Sequence, residues 1–197
     1  NRRRLVEHAG LPEEPRWLKQ VHGNRVVHAS EVERDVTEAD AVWTDQPGQV
    51  CAVTVADCVP ILLAAKDGSC VAAIHAGWRG LAAGVIEETV KHLPVPPAEL
   101  VAVIGPCIDA EHYEVGEEVI ERLKAGGIIP VTPKPSVVNL EAVIRLSLSQ
   151  TVNWIFQKFN IANITSRVLS TALYDEMLYS FRSNSKTGRF SAIIGLY

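Results

Sequence analysis

The chain has 197 residues, of which 47% are hydrophobic and 21% charged. These values are typical of a globular domain and exclude collagen-like, coiled-coil and disordered chains. A chain of this length buries enough surface to fold without disulfides. We therefore expect one domain over residues 1–197.

The net charge is −4, and the one basic run, residues 2–4, suits a solvated helix face rather than a nucleic-acid surface. No apolar run approaches the ~20 residues that span a bilayer, and no segment has the pattern of a signal peptide. These features exclude nucleic acid and membranes as partners and favour small molecules. Four cysteines without a C-x-x-C spacing predict reduced thiols and a cytoplasmic protein.

The first part of the chain predicts a helix and a hairpin. Residues 1–9 are expected to form a helix that ends at Gly10. The short runs 16–21 and 25–29 flank a Gly-Asn turn signal. This pattern predicts a β-hairpin with His22 at its tip.

The rest of the chain predicts strands that alternate with helices. The runs expected to form strands are 39–44, 50–55, 60–65, 70–75, 100–104, 164–169 and 191–197. The helices are expected at 81–93, at 115–125 and, with Asn139 as the N-cap, from 139 to about 159, while 130–135 is expected to be a loop. This order predicts an α/β or α+β layered sandwich, with a parallel β-α-β unit over 70–104.

Three residues of types that metals favour stand beside apolar runs: His22, Cys58 and His75. Singly, each has an ordinary explanation as a capping histidine or a buried thiol. His75, however, ends a strand just before a glycine-rich turn, and ligands of α/β folds bind at the carboxyl ends of strands. Two imidazoles and a thiolate could hold Zn²⁺ with a fourth position for water, whose pKa the metal would lower towards ~7. Copper (Cu²⁺) also accepts this set, and a metal-free pair of nucleophile Cys58 and base His75 is a further alternative.

The glycine-rich turn, residues 77–80, opens the next predicted helix. The backbone at Gly77 and Gly80 and the guanidinium of Arg79 suit a phosphate or carboxylate, although a tight turn with a surface arginine has the same pattern. Further candidates, each with an ordinary structural explanation as well, are the acids Asp40 and Asp57, the loop thiol Cys107, and the rings of Trp43 and Trp78 that could stack on a base.

Taken together, the chain resembles the YfiH family, also called the laccase-domain or polyphenol-oxidase-like family. The segments that carry the resemblance are 17–23 (WLKQVHG), 39–42 (ADAV), 55–60 (VADCVP), 75–80 (HAGWRG), 104–108 (IGPCI), 113–116 (YEVG) and 187–189 (TGR). They occur in the family's order over nearly the whole chain. The set is therefore specific, whereas any one motif is not.

The resemblance implies a four-layer α/β/β/α sandwich with mixed sheets and a zinc site at His22, Cys58 and His75. It implies phosphorolysis of adenosine, inosine and S-methyl-5′-thioadenosine, and deamination of adenosine. The implied partners are purine nucleosides and phosphate. The alternatives are a copper-dependent polyphenol oxidase and a metal-free cysteine hydrolase that uses Cys58 and His75.

For the phosphorolysis we expect catalytic roles for Cys58, His75, Arg79 and Asp57. Phosphate is expected at Arg79 and the Gly77–Gly80 turn, with Asp57 or the metal easing departure of the base.

The chain departs from the family pattern in three places. Only 21 residues precede His22, and the chain begins with Asn1 rather than Met, so we expect an N-terminal segment to be missing. Ser170 stands where the family has a cysteine. Residues 180–183 read Ser-Phe-Arg-Ser where the family has a tyrosine and paired arginines. These differences concern substrate contacts and stability, whereas the three metal positions are intact.

Overall fold

The computed structural model describes residues 2–128, 137–140, 143–166, 169–174 and 177–196. Its helices are α1 (Arg2–Ala9), α2 (Trp78–Ala82), α3 (Val85–His92), α4 (Glu117–Ala125) and α5 (Leu148–Lys158), with short 3₁₀ turns at Ala29–Glu31 and Pro97–Glu99. Its strands are β1 (Val26–His28), β2 (Ala41–Thr44), β3 (Val50–Val55), β4 (Val59–Ala65), β5 (Val71–Ala76), β6 (Leu100–Ile104), β7 (Glu114–Val115), β8 (Val137–Leu140), β9 (Val143–Leu146), β10 (Asn163–Ser166) and β11 (Phe190–Gly195).

A six-stranded mixed sheet lies at the centre of the fold, in the order β1-β2-β5-β4-β6-β10. Strand β4 is antiparallel to both β5 and β6, so β5 and β6 run parallel with β4 between them. The predicted β-α-β unit is therefore confirmed, but its two strands are not neighbours. Every residue of β5 is buried, because both faces of the sheet are covered, and this explains the uninterrupted apolar run.

The two faces of the central sheet pack against different layers. On one face lie α2, α3, α4 and α5, and the cluster there includes Ile61, Leu81, Ile86 and Phe156. On the other face lies the antiparallel pair of β3 and β11, with Val53 in its core. A third sheet, β7-β9-β8, is antiparallel. The α/β class with mixed sheets is confirmed.

The predicted hairpin at residues 16–29 is wrong. Arg16 and Lys19 instead form parallel bridges with Cys51 and Glu38, and β1 pairs in parallel with β2. The physical reason is that the N–H groups of the expected turn bond to the carboxylate of Asp40 rather than across a hairpin. The preceding helix is confirmed, and Gly10 ends it with a φ of +60°.

The predicted helix from 139 to about 159 is wrong in its first half. Strands β8 and β9 occupy that part as an antiparallel pair, and α5 begins after Ser147, whose hydroxyl accepts the N–H of Gln150. The Ser-x-x-Gln pattern at 147–150 is a capping signal that could have placed this start. The predicted helix at 81–93 is divided at Gly84, which has a φ of +81°.

Most predicted strands lie within a residue or two of the observed ones. The strand expected at 164–169 is β10, observed over Asn163–Ser166, and the helix expected at 115–125 is α4. The loop expected at 130–135 lies outside the described residues. In the part of the chain that the structure describes, no helix has both the length and the apolar character to cross a membrane.

Candidate active site

Two loops and one strand bring the predicted ligand residues together. His22 lies in the turn before β1, Cys58 lies between β3 and β4, and His75 lies near the end of β5. Their ligand atoms are all within 4.8 Å of one another, and the two imidazole rings meet edge to face with centroids 4.7 Å apart. Among the described residues, no other group of three His, Cys, Asp or Glu side chains converges in this way.

Asp40, which is fully buried, organises two of the three residues. Its Oδ1 accepts from Nδ1 of His75 at 2.7 Å and from the N–H of His22 at 2.9 Å. Its Oδ2 accepts from the N–H of Gly23 at 2.7 Å. The bond at Nδ1 leaves Nε2 of His75 for a ligand, which is the usual arrangement of a carboxylate behind a metal-bound histidine.

The charges of the site favour a thiolate at Cys58. Burial acts to raise the pKa of this thiol, but hydrogen bonds with His22 and His75 outweigh burial and lower the pKa to about 6. Burial acts to lower the pKa of His75, but its bonds with Asp40 and Cys58 raise the pKa to about 9. The thiolate is the form that binds metals and attacks electrophiles.

Two residues of the site have backbone conformations that residues other than glycine rarely adopt. His22 has a φ of 62° and Asp57, next to Cys58, has a φ of 89°. Left-handed non-glycine residues of this kind cluster at functional sites and are held by their surroundings. At His22 the hydrogen bonds to Asp40 hold the turn.

The glycines of the 77–80 turn allow that turn to pack closely on the ligands. A Cβ at Gly77 would lie 2.9 Å from Sγ of Cys58 and 3.0 Å from Cδ2 of His22. A Cβ at Gly80 would lie 2.9 Å from the carbonyl oxygen of Gly23. At these two positions the turn therefore packs against the loops that carry His22 and Cys58.

Asp57 uses both carboxylate oxygens within the protein. Its Oδ1 accepts from the hydroxyl of Thr171 at 2.6 Å, and its Oδ2 accepts from the N–H of Arg182 at 2.7 Å. These contacts tie the Cys58 turn to two segments more than a hundred residues later in the chain.

A cavity of about 770 Å³ opens beside the ligand residues. Its lining includes all three of them together with Asp57, Trp78 and Arg79. The guanidinium of Arg79 lies 4.4 Å from the centroid of the Trp78 ring, so it covers one face of the ring that was expected to stack on a base.

The cavity also contains residues that the sequence did not single out as site residues: Gln20, Tyr113, Arg182 and Arg189. Gln20 is fixed by hydrogen bonds to the backbone of Thr54 on both sides of its amide. Gln20, Tyr113 and Arg189 lie inside the segments that carry the family resemblance, and this is the signal that could have found them.

Asp40, Gly77 and Gly80 lie beside the ligand residues but do not line the cavity. Two further candidates also lie outside it. Cys107 is fully buried, and burial raises the pKa of its thiol to about 12, which is typical of an inert structural cysteine. Its backbone bonds to Leu169 and Thr171. Trp43 packs edge to face on His28, with centroids 4.8 Å apart.

Comparison with known proteins identifies the family and agrees with this fold. The family model for multi-copper polyphenol oxidoreductase laccase matches residues 1–197. Purine nucleoside phosphorylase of Haemophilus influenzae is 36% identical over 98% of this chain and 79% of its own length. The Pseudomonas aeruginosa protein of that name is 37% identical, and the Escherichia coli protein, named purine nucleoside phosphorylase YfiH, is 36% identical; each alignment covers this whole chain and 79% of the relative.

Solved structures give the same result. NMB0706 of Neisseria meningitidis is 31% identical, with a TM-score of 0.88 over 99% of this chain and 79% of that one. YfiH of Bacillus licheniformis is 27% identical, with a TM-score of 0.87 over 100% and 79%. The site and fold thus define a mixed α/β protein with a Cys-His-His cluster. The chain belongs to the laccase-domain family that includes the YfiH proteins, and the resemblance drawn from its motifs is confirmed.

Proposed function

We propose that this protein is a zinc-dependent purine nucleoside phosphorylase acting on adenosine, inosine and S-methyl-5′-thioadenosine. The observation that carries the proposal is the cluster of His22, Cys58 and His75 in the wall of a cavity that also holds Arg79. The name shared by the relatives from three bacteria supports the reaction class.

The residues present fit a zinc ion. The cluster supplies one thiolate and two imidazoles, and the contact between Asp40 and Nδ1 of His75 directs Nε2 to the ion. Cys58 is half-buried and His22 is exposed, so the cluster opens to the cavity on one side. A bound zinc would supply Lewis-acid polarisation and the activation of water.

The protein side chains supply binding and orientation for phosphorolysis. A phosphate oxygen forms the new bond to the anomeric carbon of the ribose while the bond to the purine breaks, and the pair of electrons leaves with the base. Arg79 would bind the phosphate, since a guanidinium presents a fork of donors that matches its oxygens. The apolar walls of the cavity, among them Ile108 and Leu148, would enclose the nucleoside.

We propose deamination of adenosine as a second reaction at the same site. The exposure of His22 gives water access to the ligand cluster while the base lies in the cavity. Deamination replaces the amino group of the purine ring with oxygen from water and releases ammonia. It needs no phosphate, which makes the two reactions separable by experiment.

One observation favours a different activity, that of a metal-free cysteine hydrolase. The pKa of Cys58 is lowered to about 6 and that of His75 is raised to about 9, and Asp40 holds the imidazole from behind. This order of nucleophile, base and orienting carboxylate is that of cysteine hydrolases. Inactivation of the metal-free protein by a thiol reagent, with an activity that survives chelators, would support it.

Copper-dependent phenol oxidation has less support from the side chains. The other four histidines lie away from the cluster: His8 is in α1, His28 contacts Asp45, His92 contacts a helix carbonyl and His112 contacts Asp109. A multicopper centre needs more imidazoles than the cluster supplies. Oxygen consumption with a phenol and a copper-loaded sample would be the sign of this activity.

The proposal is tested by a product assay. Zinc-loaded protein is incubated with adenosine, with and without phosphate, and the bases are separated by chromatography. We expect adenine only when phosphate is present, and inosine in either case. Cys58→Ala should lose both zinc and activity, whereas Cys70→Ala, which changes a buried thiol away from the cavity, should keep both. Release of neither product by the zinc-loaded protein would contradict the proposal.

A further inference from the structure

We propose that Arg182 is a second anion-binding residue of the cavity and that Asp57 is the positioning residue that holds it there. This inference rests on the proposed phosphorolysis, because it assigns the phosphate two guanidinium groups rather than one. It also reassigns Asp57, which the sequence marked as a catalytic acid.

Arg182 is held both at its backbone and at its guanidinium group. Its backbone N–H donates to Oδ2 of Asp57 at 2.7 Å, and one guanidinium nitrogen donates to the carbonyl oxygen of Glu114 at 3.1 Å. The guanidinium carbon also lies 5.4 Å from the centroid of the Tyr113 ring. Asp57 thus holds the backbone of Arg182, and the adjacent residues Tyr113 and Glu114 hold its guanidinium. Together these contacts orient the side chain at the cavity wall.

These contacts orient the charge of Arg182 without cancelling it. A backbone carbonyl and an aromatic ring attract a guanidinium but carry no net charge. Arg182 and Arg79 both line the cavity, and both stack on aromatic rings of that wall. Two fixed cations in one cavity suit a doubly charged phosphate, which a single guanidinium would only half neutralise.

Asp57 holds neighbouring segments in place through three hydrogen bonds. Its two oxygens accept from the N–H of Arg182 and the hydroxyl of Thr171, and its backbone carbonyl accepts from the N–H of Ile108. Each carboxylate oxygen thus has a donor partner within the protein, and these two contacts fix the orientation of the side chain. Asp57 precedes Cys58 directly, and it therefore sets where Arg182 stands relative to the ligand cluster.

The first test measures phosphate binding without turnover. Inorganic phosphate alone is titrated by calorimetry into the zinc-loaded protein and into Arg182→Gln. We expect the variant to bind phosphate about tenfold or more weakly, since a charged hydrogen-bonding partner is lost, and Arg182→Lys to recover part of the loss. Arg34→Gln, which changes an exposed arginine paired with Glu14 on the surface, serves as the matched control and should bind like the unchanged protein.

The second test separates binding from chemistry in the phosphorolysis assay. Arg182→Gln and Asp57→Asn should both raise KM for phosphate by about tenfold, with KM for adenosine and the zinc content unchanged. Asparagine tolerates the positive φ at position 57 but offers the N–H of Arg182 an uncharged oxygen, while its NH₂ faces the hydroxyl of Thr171, which can accept. The double variant should be no worse than Arg182→Gln alone, because Asp57 acts through Arg182.

Two results would overturn the inference. One is unchanged phosphate affinity in Arg182→Gln with zinc content and melting temperature intact. The other is a loss of about a hundredfold or more in kcat for Asp57→Asn with KM for phosphate unchanged, which is the result expected of a general acid. If the unchanged protein shows no phosphorolysis, the proposed function fails, while the titration with phosphate still decides the role of Arg182.

Discussion

Asp40 and His75 are joined by two hydrogen bonds, one between their side chains and one between their backbones. Nδ1 of His75 donates to Oδ1 of Asp40 at 2.7 Å, and the N–H of His75 donates to the carbonyl oxygen of Asp40 at 2.7 Å. The second bond continues the antiparallel pairing of β2 with β5. The central sheet itself therefore aligns the carboxylate with the imidazole that it orients.

The first prediction concerns the substitution Asp40→Asn. The buried carboxylate accepts from His75 and from three backbone N–H groups, and an asparagine must turn its NH₂ towards one of these donors. We expect the free energy of unfolding of the metal-free protein to fall by about 2–4 kcal/mol. Zinc affinity should fall by about 10–100-fold. Urea unfolding and competition with a chelator measure the two effects.

Asp45→Asn is the matched control, because Asp45 also contacts a histidine, His28, but at an exposed position. We expect it to change stability by less than about 1 kcal/mol and zinc affinity not at all. Equal zinc affinity in Asp40→Asn and the unchanged protein would show that Asp40 does not orient a metal ligand.

The second prediction concerns space beside the ligands. Alanine at position 77 would place a Cβ 2.9 Å from Sγ of Cys58 and 3.0 Å from the ring of His22, so both ligands must shift. We expect Gly77→Ala to weaken zinc binding strongly while the far-ultraviolet circular dichroism stays the same. At Gly23 the nearest atom to a Cβ is 3.6 Å away, and Gly23→Ala should therefore bind zinc nearly as well as the unchanged protein. Equal losses in the two variants would contradict the close packing described here.

The third prediction concerns the pH dependence of Cys58 in the metal-free protein. The thiolate fraction rises with pH through the pKa of about 6, so alkylation by iodoacetamide should be near its maximum at pH 7. A thiol with the ordinary pKa of 9 would still gain reactivity above pH 8. Cys51 and Cys107, whose pKa values burial raises to about 12, should not react.

Mass spectrometry of the alkylated peptides shows which cysteine carries the label. Cys58→Ser is the control, and it should remove the alkylation seen at pH 7. Added zinc should protect the thiol if Cys58 is a ligand. A rate that climbs steadily to pH 9 would show that the imidazoles do not stabilise the thiolate.

The fourth prediction concerns the start of α5. The hydroxyl of Ser147 accepts the N–H of Gln150 at 3.3 Å, and Ser147→Ala should lower the free energy of unfolding by about 1 kcal/mol. Ser149 is the second residue of the helix, and its hydroxyl lies 3.4 Å from that of Ser147. Ser149→Ala keeps the bond between Ser147 and Gln150 and should change the free energy of unfolding by less than about 0.5 kcal/mol. Equal midpoints of urea unfolding in the two variants would contradict the assigned cap.

The strands could be predicted where local pattern and burial agree. Strands β4 and β5 are continuous apolar runs because layers cover both faces of the central sheet. The structure of residues 16–29 and of the segment that begins at residue 139 could not be predicted in this way. There, hydrogen bonds to distant residues and strand pairing override the local signals for a hairpin and a helix. The N–H groups around His22 bond to Asp40, eighteen residues away.

The candidate site, too, could be predicted only in part from the sequence. The types of residue at positions 22, 58 and 75 suggest metal binding, but only their order within family-like motifs indicates that they converge. The contact of Asp40 with His75 spans 35 residues, and that of Asp57 with Arg182 spans 125. Local sequence patterns do not predict contacts between residues so far apart in the chain. The orienting role of Asp40 and the position of Arg182 could therefore be found only from the structure.

Phosphorus NMR of the zinc-loaded protein with adenosine and inorganic phosphate tests the central claim most directly. Phosphorolysis joins phosphate to the anomeric carbon of ribose. We therefore expect a new sugar-phosphate resonance that grows as adenine is released and is absent with Cys58→Ala. Adenine or inosine formed with the phosphate signal unchanged would show that water is the attacking group and would contradict the assignment as a phosphorylase.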